Sequence, residues 1–582
     1  MECSRKTGVG IANLCGGKGK CHTCKIRVLK GKVSEPTALE TTVFSAQELG
    51  EGWRLGCQVH PSGNCTIHVP TESMTTPQRT QVEGLEIQVE PDPPVRCHEV
   101  LLSSPGLSDP MADADRLIQG VQDQHGVGCR KVDGAVLRTL SAGLRALEWR
   151  CRVAVRGDEV IGLGSWQLPS LGLAVDLGTT KIAGYLVDLE TGERLASKGM
   201  MNPQISFGED VITRIDQALK SPERAAEIRT TAVEALRRLA RDLCEEANAH
   251  AGQILEVEVA CNTAMHHLFL GLPLKQLVMA PYVPAASMAL EWKARDVGLD
   301  IAPGAYVHLL PNVAGFVGGD HVAMLLAVKA FDLKGLVLAL DIGTNTEVSV
   351  VHKGRITSAS CASGPAFEGY QITHGMRAAQ GAIERLRING DSVVYQTIDG
   401  APAVGICGSG VLDAMAQMYR AGVVDRGGRM TEKHPRVREI KGERVFILAP
   451  EKEGEERVAL GITQKDIRQL QLAKAAVRTG IQMLLEESGR SSDDIKEVII
   501  AGAFGSYIDV ESAITVGMLP RLPLARFHQV GNAAGMGAQM ALVSSAMRKE
   551  GEALASRIRY VELAGLPKFS EVFAQACYLG DY

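Results

Sequence analysis

Apolar and polar positions change rhythm twice along the chain. Up to about Pro70 the apolar runs are short, and "CKIRVLKGKV" and "CTIHVP" alternate apolar and polar residues in the manner of half-buried strands. "TESMTTPQRT" then reads as a polar connector. Between about Val95 and Gln167, "DGAVLRTLSAGLRAL" has helical spacing and "CRVAVRGDEVIGL" is strand-like, which predicts a small mixed segment. From Leu171 onward, glycine-punctuated apolar strands alternate with long amphipathic helices, the pattern of α/β architecture. Within that region "LGLAVDLGTTKIAGYLVDL" and "GLVLALDIGTNTEVSVVHKG" each run as apolar strand, acidic-glycine-threonine turn and second strand, so two related subdomains are predicted.

These breaks divide the chain at 1–70, a linker 71–94, a middle domain 95–167, and two subdomains at 171–332 and 333–582. A chain of 582 residues is long enough for several cores. With 22% charged residues and a formal net charge of −5, no long-range field draws it to nucleic acid or to a membrane surface. No apolar run has the length of a membrane span and no signal peptide is evident at the N-terminus, so a cytoplasmic protein is expected. In that reducing compartment, its 14 cysteines are expected to be metal ligands or buried thiols rather than disulfides.

The first cysteines are spaced as ligands. Cys15, Cys21 and Cys24 give C-x5-C-x2-C, and Cys57 follows alone in "RLGCQV". Three thiolates on one loop and a fourth from afar suit a 2Fe-2S cluster. The glycines of "CGGKGKCHTC" let that loop curl and turn its N–H groups inward. A structural zinc site is the alternative, although such sites usually pair two C-x2-C knuckles. Cys3 and Cys65 fall outside the spacing and are expected to be buried thiols.

The paired turns suit an oligophosphate. Asp176 ends a strand, Gly178 permits a tight turn, and Thr179, Thr180 and Lys181 offer donors; Asp341, Gly343, Thr344 and Asn345 repeat the device, with Glu347 following. Acidic groups beside phosphate need an intervening cation, so Asp176 and Asp341 are expected to hold Mg2+ or its waters. Gly408, Ser409 and Gly410 of "CGSG" open a helix whose N-terminus favours an anion. Gly502, Ala503, Phe504 and Gly505 follow an apolar strand and allow close approach of a flat adenosine. His266 and His267, as sequence neighbours, point to different sides and are expected to be structural. Cys361 and Cys407 are expected to pack as small apolar residues.

Residues 8–69 resemble the 2Fe-2S ferredoxin domain, a β-grasp fold. Only 14 residues precede Cys15, so the first hairpin of that fold is expected to be missing. The two turns and the Gly502 loop resemble the phosphate and adenosine motifs of the acetate and sugar kinase, heat-shock chaperone and actin superfamily. That resemblance implies an actin-like ATPase of two ribonuclease H-like subdomains with ATP between them. In this domain order, "MNPQISFGEDVITRI", "SCASGPAFEGYQITHGMRAA" and "GICGSGVLDAMA" make the whole chain similar to the reductive activators of corrinoid proteins.

The fold expected is therefore an α/β multidomain chain with a β-grasp cluster domain, a small α+β domain and an actin-like ATPase. The resemblance implies ATP-dependent transfer of one electron from the cluster to cobalt(II) of a corrinoid protein in a methyltransferase system. A low-potential electron donor is implied too, and a homodimer is expected from the resemblance alone. Ser363, in "ASGPAFEG", is read as a turn residue whose hydroxyl is exposed and able to approach the partner. Two other readings stay open: a small-molecule kinase with a regulatory cluster, and an actin-like or chaperone-like nucleotide-binding protein with structural zinc.

Overall fold

The computed structural model describes residues 3, 11, 17–19, 22, 24–70, 73, 89–440, 442–450, 459–502 and 504–580. In the N-terminal domain β1 (Lys25–Lys30) lies between β2 (Trp53–Leu55) and β3 (Thr66–His68), antiparallel to both. β1 and β3 are the strands that alternation predicts, β2 is too short to show a period, and Ile26, Phe44, Leu55 and Val69 close a small core beneath them. So small a core needs a second anchor, and Glu40 and Arg54 provide it. Both are buried, Arg54 donates from Nε and Nη2 to the two Glu40 oxygens at 3.0 and 2.9 Å, and the Leu55 N–H donates to the same carboxylate. Burial alone would raise the Glu40 pKa, but Arg54 and the N–H groups of Thr37 and Leu55 outweigh it and hold the carboxyl below its ordinary value. Arg54 also donates to the carbonyls of Ser34 and Glu35, so one guanidinium ties strand, helix and turn.

The middle domain is a four-stranded sheet in the order β4 (Val95–Leu101), β6 (Arg150–Arg156), β7 (Glu159–Gly164), β5 (Lys131–Val132). The helix read from "DGAVLRTLSAGLRAL" spans Gly134–Ala146 and buries Val136, Leu140 and Leu144, four residues apart. A second helix, Asp113–His125, carries fewer apolar residues and goes unseen in the sequence reading. Asp133 caps the first of these helices and also takes Lys293 and Arg295 of the following domain, each at 2.9 Å. Arg156 reaches Glu256 and Glu291 at the same seam.

Two six-stranded sheets form the rest. The first runs β10 (Arg194–Met201), β9 (Lys181–Asp188), β8 (Leu171–Leu177), β11 (Ile254–Ala260), β13 (Tyr306–Leu309), β12 (Leu290–Lys293). The second runs β24 (Phe527–Gly531), β23 (Ile495–Ala501), β14 (Leu336–Ile342), β15 (Thr346–His352), β16 (Arg355–Cys361), β25 (Ile558–Tyr560). In each, three consecutive antiparallel strands, β8 to β10 and β14 to β16, are followed by two that join in parallel beside the first, β11 with β13 and β23 with β24, so the sequence echo is a repeated topology. Between β16 and β23 the second repeat inserts two small sheets, β17 (Ala382–Asn389) with β18 (Ser392–Thr397) and β19 (Gly405–Ile406), and β20 (Val437–Ile440) with β21 (Glu443–Ala449) and β22 (Leu460–Thr463).

The helix after β13, Gly319–Ala327, packs against its counterpart after β24, Ala533–Val543. Gly537 lets them close: a Cβ there would lie 2.0 Å from the Ala323 carbonyl oxygen. The later helix also lies on β8 and β11, within the core of the first sheet. Crossing helices thus join the two repeats behind the turns.

The N-terminal anchor generates a prediction. Arg54→Leu leaves the Glu40 carboxylate buried without its counter-ion, at an expected cost of about 3 kcal/mol confined to the N-terminal domain. Calorimetry of the full chain should show one transition moved down and the main one unchanged, and adding Glu40→Leu should recover most of the loss. Equal stability of Arg54→Leu and the parent chain would contradict this.

Candidate functional site

The turn between β8 and β9 faces the turn between β14 and β15 across a cavity of about 210 Å³. Asp176, Gly178, Thr179, Thr180 and Lys181 line it from one side, and Asp341, Gly343, Thr344, Asn345 and Glu347 from the other. Asn262 donates to Thr179 Oγ1 at 3.0 Å and fixes that hydroxyl. Gly408 and Ser409 close the wall where the Gly408–Arg420 helix begins, with no side-chain cap on its N–H groups. Glycine is required at 408 because a Cβ would lie 1.6 Å from the Phe367 carbonyl oxygen. Gly502, at φ +90°, lets the chain leave β23 beside Asp341, and Phe504 stacks on Phe367 with ring centroids 4.8 Å apart.

Some predicted residues lie elsewhere. Gly410 and Gly505 do not line the cavity; Gly410 packs on the Ile383 carbonyl and Gly505 on that of Ala501. Ala503 lies outside the described residues. Ser363 corrects the sequence reading: it is buried rather than exposed, 3.0 Å from Thr346 Oγ1, and donates to the Thr344 carbonyl at 3.2 Å. The loop folds inward because that hydroxyl satisfies the backbone of the second turn. Cys3 and Cys65 are exposed, not buried as expected. Cys361 and Cys407 are buried, which pushes both thiols up and leaves them as packing groups. His267 donates from Nδ1 to the Thr263 carbonyl and accepts the Ala285 N–H at Nε2, a structural tie.

Asp320 is the acidic group the sequence reading missed. It stands in the first turn of the Gly319–Ala327 helix and lines the cavity with Asp176, Asp341 and Glu347. The signal was "VGGDHV", two glycines before an acid at a helix start, which a search for the paired turns passes over. Burial, then the neighbouring Asp320 carboxylate, pushes Asp176 up to about 7 against the pull of Asn532, whose Nδ2 donates to it at 3.0 Å. Burial, then Asp320 and Asp176, pushes Asp341 up to about 8; burial takes Asp320 to about 6. Glu347 rises well above its ordinary value from burial, then from Asp320 and Asp341. Four carboxyls lining one cleft, all raised by desolvation and three of them by carboxylate neighbours as well, fit a divalent cation. Among the described residues no three such groups are close enough to grip an ion directly, so the donor set fits one that keeps its waters and takes phosphate oxygens, as Mg2+ does.

At the other end of the chain, Cys24 is buried and its carbonyl accepts the Gly56 N–H at 2.7 Å, which brings Cys57 beside the cysteine loop. Gln58 Nε2 donates to the Gly17 carbonyl at 3.0 Å, stitching the two segments. Two thiols on adjoining loops fit a cluster, while Cys15 and Cys21 lie outside the described residues. Lys18 meets Asp216 of the Val211–Ala218 helix at 2.8 Å, so the cysteine loop touches the first α/β subdomain. Among the described residues no helix is long and apolar enough to cross a membrane.

Four family models match in chain order: the 2Fe-2S iron-sulfur cluster binding domain over 2–62, the RACo linker region over 84–165, the RACo middle region over 171–332, and the C-terminal domain of RACo, the ASKHA domain, over 335–582. The corrinoid activation enzyme RamQ of Eubacterium limosum is 33% identical, covering 99% of this chain and 95% of its own. The [Co(II) methylated amine-specific corrinoid protein] reductase of Methanosarcina barkeri is 28% identical over 60% of this chain and 66% of its own. The solved structure of a reductive activator for corrinoid, iron-sulfur protein superimposes with a TM-score of 0.76 at 33% identity, covering 100% of this chain and 95% of that one.

The carboxyl cluster sets the pH response of protein free of nucleotide and metal. Folded values near 6, 7 and 8 lie above the ordinary 3.8, so the folded state holds protons that the unfolded chain releases. The stability these groups lend is complete below the ordinary carboxylate range and is lost as pH rises through 6 to 8. The melting temperature should fall over that interval, and saturating magnesium nucleotide should flatten the fall. A melting temperature that rises from pH 6 to 8 without ligand would refute the assignment.

Proposed function

The chain belongs to the reductive activators of corrinoid proteins, and from that premise we propose that it uses ATP to drive one-electron reduction of cobalt(II) to cobalt(I) in a corrinoid protein of a methyltransferase system. The observation that carries this reading is the fusion of a 2Fe-2S domain to a two-lobed nucleotide cleft in one polypeptide. A small-molecule kinase has no use for an electron-transfer centre, and neither has a filament subunit.

We assign Cys15, Cys21, Cys24 and Cys57 as the cluster ligands; bound there, the cluster supplies the electron to cobalt. Thr179, Thr180, Lys181, Thr344 and Asn345 donate to the nucleotide phosphates. Gly408 and Ser409 turn N–H groups to the same charge. Asp176 and Asp341, with Asp320 and Glu347, hold the waters of Mg2+. Gly502 and Phe504 receive the adenosine, and Phe504 offers it an edge braced by Phe367. Ser363 acts from behind, by holding the Thr344 turn in shape.

Cobalt(II) reduction is uphill from an ordinary ferredoxin potential by about 1.4 kcal/mol for each 59 mV of a one-electron gap. Nucleotide helps only if the closed cleft binds the cobalt(II) protein differently from the open one. Closure therefore docks the partner, and a low-potential donor refills the cluster. A homodimeric assembly and a cytoplasmic location complete the proposal, the first from the resemblance and the second from the many thiols suited to a reducing compartment.

Anaerobically purified protein should hold about two iron and two sulfide per chain. Mixed with a cobalt(II) corrinoid protein and a reductant, it should form cobalt(I) only with ATP. Cys57→Ser should lose that reaction and keep ATP hydrolysis. Asp341→Asn should keep the cluster and slow hydrolysis by about a hundredfold. Cobalt(I) formed at the same rate without nucleotide, or ATP turnover that requires a sugar or carboxylate acceptor, would refute the reading.

A further inference from the structure

Two of the stretches that single out this chain, "SFGED" and "GMRAA", meet at the mouth of the cleft. Arg377, from the second subdomain, donates from Nη2 to Glu209 of the first, and the two side chains are 7% and 2% exposed. Glu209 is placed by Arg214, which donates from Nε to the Gly208 carbonyl at 2.8 Å and from Nη2 to the Thr179 carbonyl of the first phosphate turn. The Tyr370 ring lies 4.8 Å from the Arg377 guanidinium carbon and covers it. Beside them Glu368 accepts from Thr344 Oγ1 of the second phosphate turn.

Only one of the three guanidinium nitrogens is used. Among the described residues Arg377 Nε and Nη1 are buried without a hydrogen-bond partner, although the residue lines the same cavity as Lys181, Thr179 and Thr344. Leaving buried charged donors unsatisfied is costly, so a site holding two of them fits an anion. The adenosine-side residues Gly502 and Phe504 belong to a different loop, and the groups around Arg377 are those of the two phosphate turns.

We propose that Arg377 is a ligand of the terminal phosphate of ATP, held in plane by Glu209, and that it makes the cleft distinguish ATP from ADP. The guanidinium fork gives one nitrogen to Glu209 and presents the others to phosphate oxygens, a division that a lysine ammonium cannot reproduce. Because Arg377 and Glu209 sit on different subdomains, the terminal phosphate completes a bridge between the lobes, and its departure leaves the two donors unsatisfied again. This rests on the nucleotide reading of the cleft given above.

The test is calorimetric binding of Mg2+·ADP and of the Mg2+ complex of a non-hydrolysable β,γ-imido ATP analogue to the full-length protein. Arg377→Gln should weaken the analogue by roughly tenfold to a hundredfold and change ADP affinity by less than about threefold. Arg377→Lys keeps the charge beside Glu209 and so guards against a folding failure; it too should fall short of the parent chain on the analogue alone. Glu209→Gln should lower analogue affinity through a less constrained arginine, again sparing ADP. Equal weakening of both nucleotides, or no change in either, overturns the proposal while leaving the nucleotide site in place. A parent chain that binds neither nucleotide overturns the site as well.

Discussion

Four carboxyl groups lining one cleft set the terms for the rest of this structure. Asp176, Asp341 and Glu347 come from the strands that flank the two turns and Asp320 from a helix start, and none is neutralised by a lysine or arginine salt bridge among the described residues. Such a cluster holds together only if a rigid frame forces it and a cation or protons relieve it. The frame is the pair of sheets, with strand interiors almost wholly apolar, and the crossing helices behind them. Each crossing helix begins at the cleft, one with Asp320 in its first turn and the other with Asn532 as its cap, bonded to Asp176. Moving one lobe therefore moves carboxyls relative to one another, which is how occupancy by a charged ligand becomes a change of shape.

The N-terminal domain obeys a different economy. Its core is a handful of residues and its order depends on the Glu40 and Arg54 pair. Its loop reaches the large domain through Lys18 and Asp216, about two-fifths exposed, a contact worth under ~1 kcal/mol. So weak a contact orients the cysteine loop without fixing it. Asp216 shares its helix with Arg214, whose guanidinium is bonded to the first phosphate turn. One short helix thus touches both the cysteine loop and the phosphate end of the cleft.

Local features were legible in the sequence. Each copy of the turn, the strands beside it, the Gly134–Ala146 helix and the first three spaced cysteines announce themselves within about twenty residues, because periodicity and turn chemistry are local. What escaped notice depends on distant partners. Asp320 follows the first turn by more than a hundred residues, and only the crossing of helices shows that it joins the cleft. Ser363 looked exposed because "ASGPAFEG" has the composition of a surface turn, yet its hydroxyl is drawn inward by the Thr344 carbonyl. Gly410 and Gly505 looked like ligand-facing glycines and are instead places where backbone presses on backbone. A glycine in the sequence signals close approach without saying what approaches.

Duplication explains the form of the cleft but not its direction. Two copies of one turn would present an oligophosphate with nearly the same donors from either side. Glu209 and Arg377 break that equivalence, and their positions show how: each lies in the segment that follows the third strand of its own repeat, after β10 and after β16. The repeated topology brings these segments face to face, and divergence has made one acidic and the other basic. Their attraction draws the lobes together at the end lined by the two turns, while Phe504, after β23, and Phe367, after β16, stack to give the cleft an apolar wall. A symmetrical frame thereby acquires a polar axis, and a nucleotide lying along it meets different chemistry at its two ends.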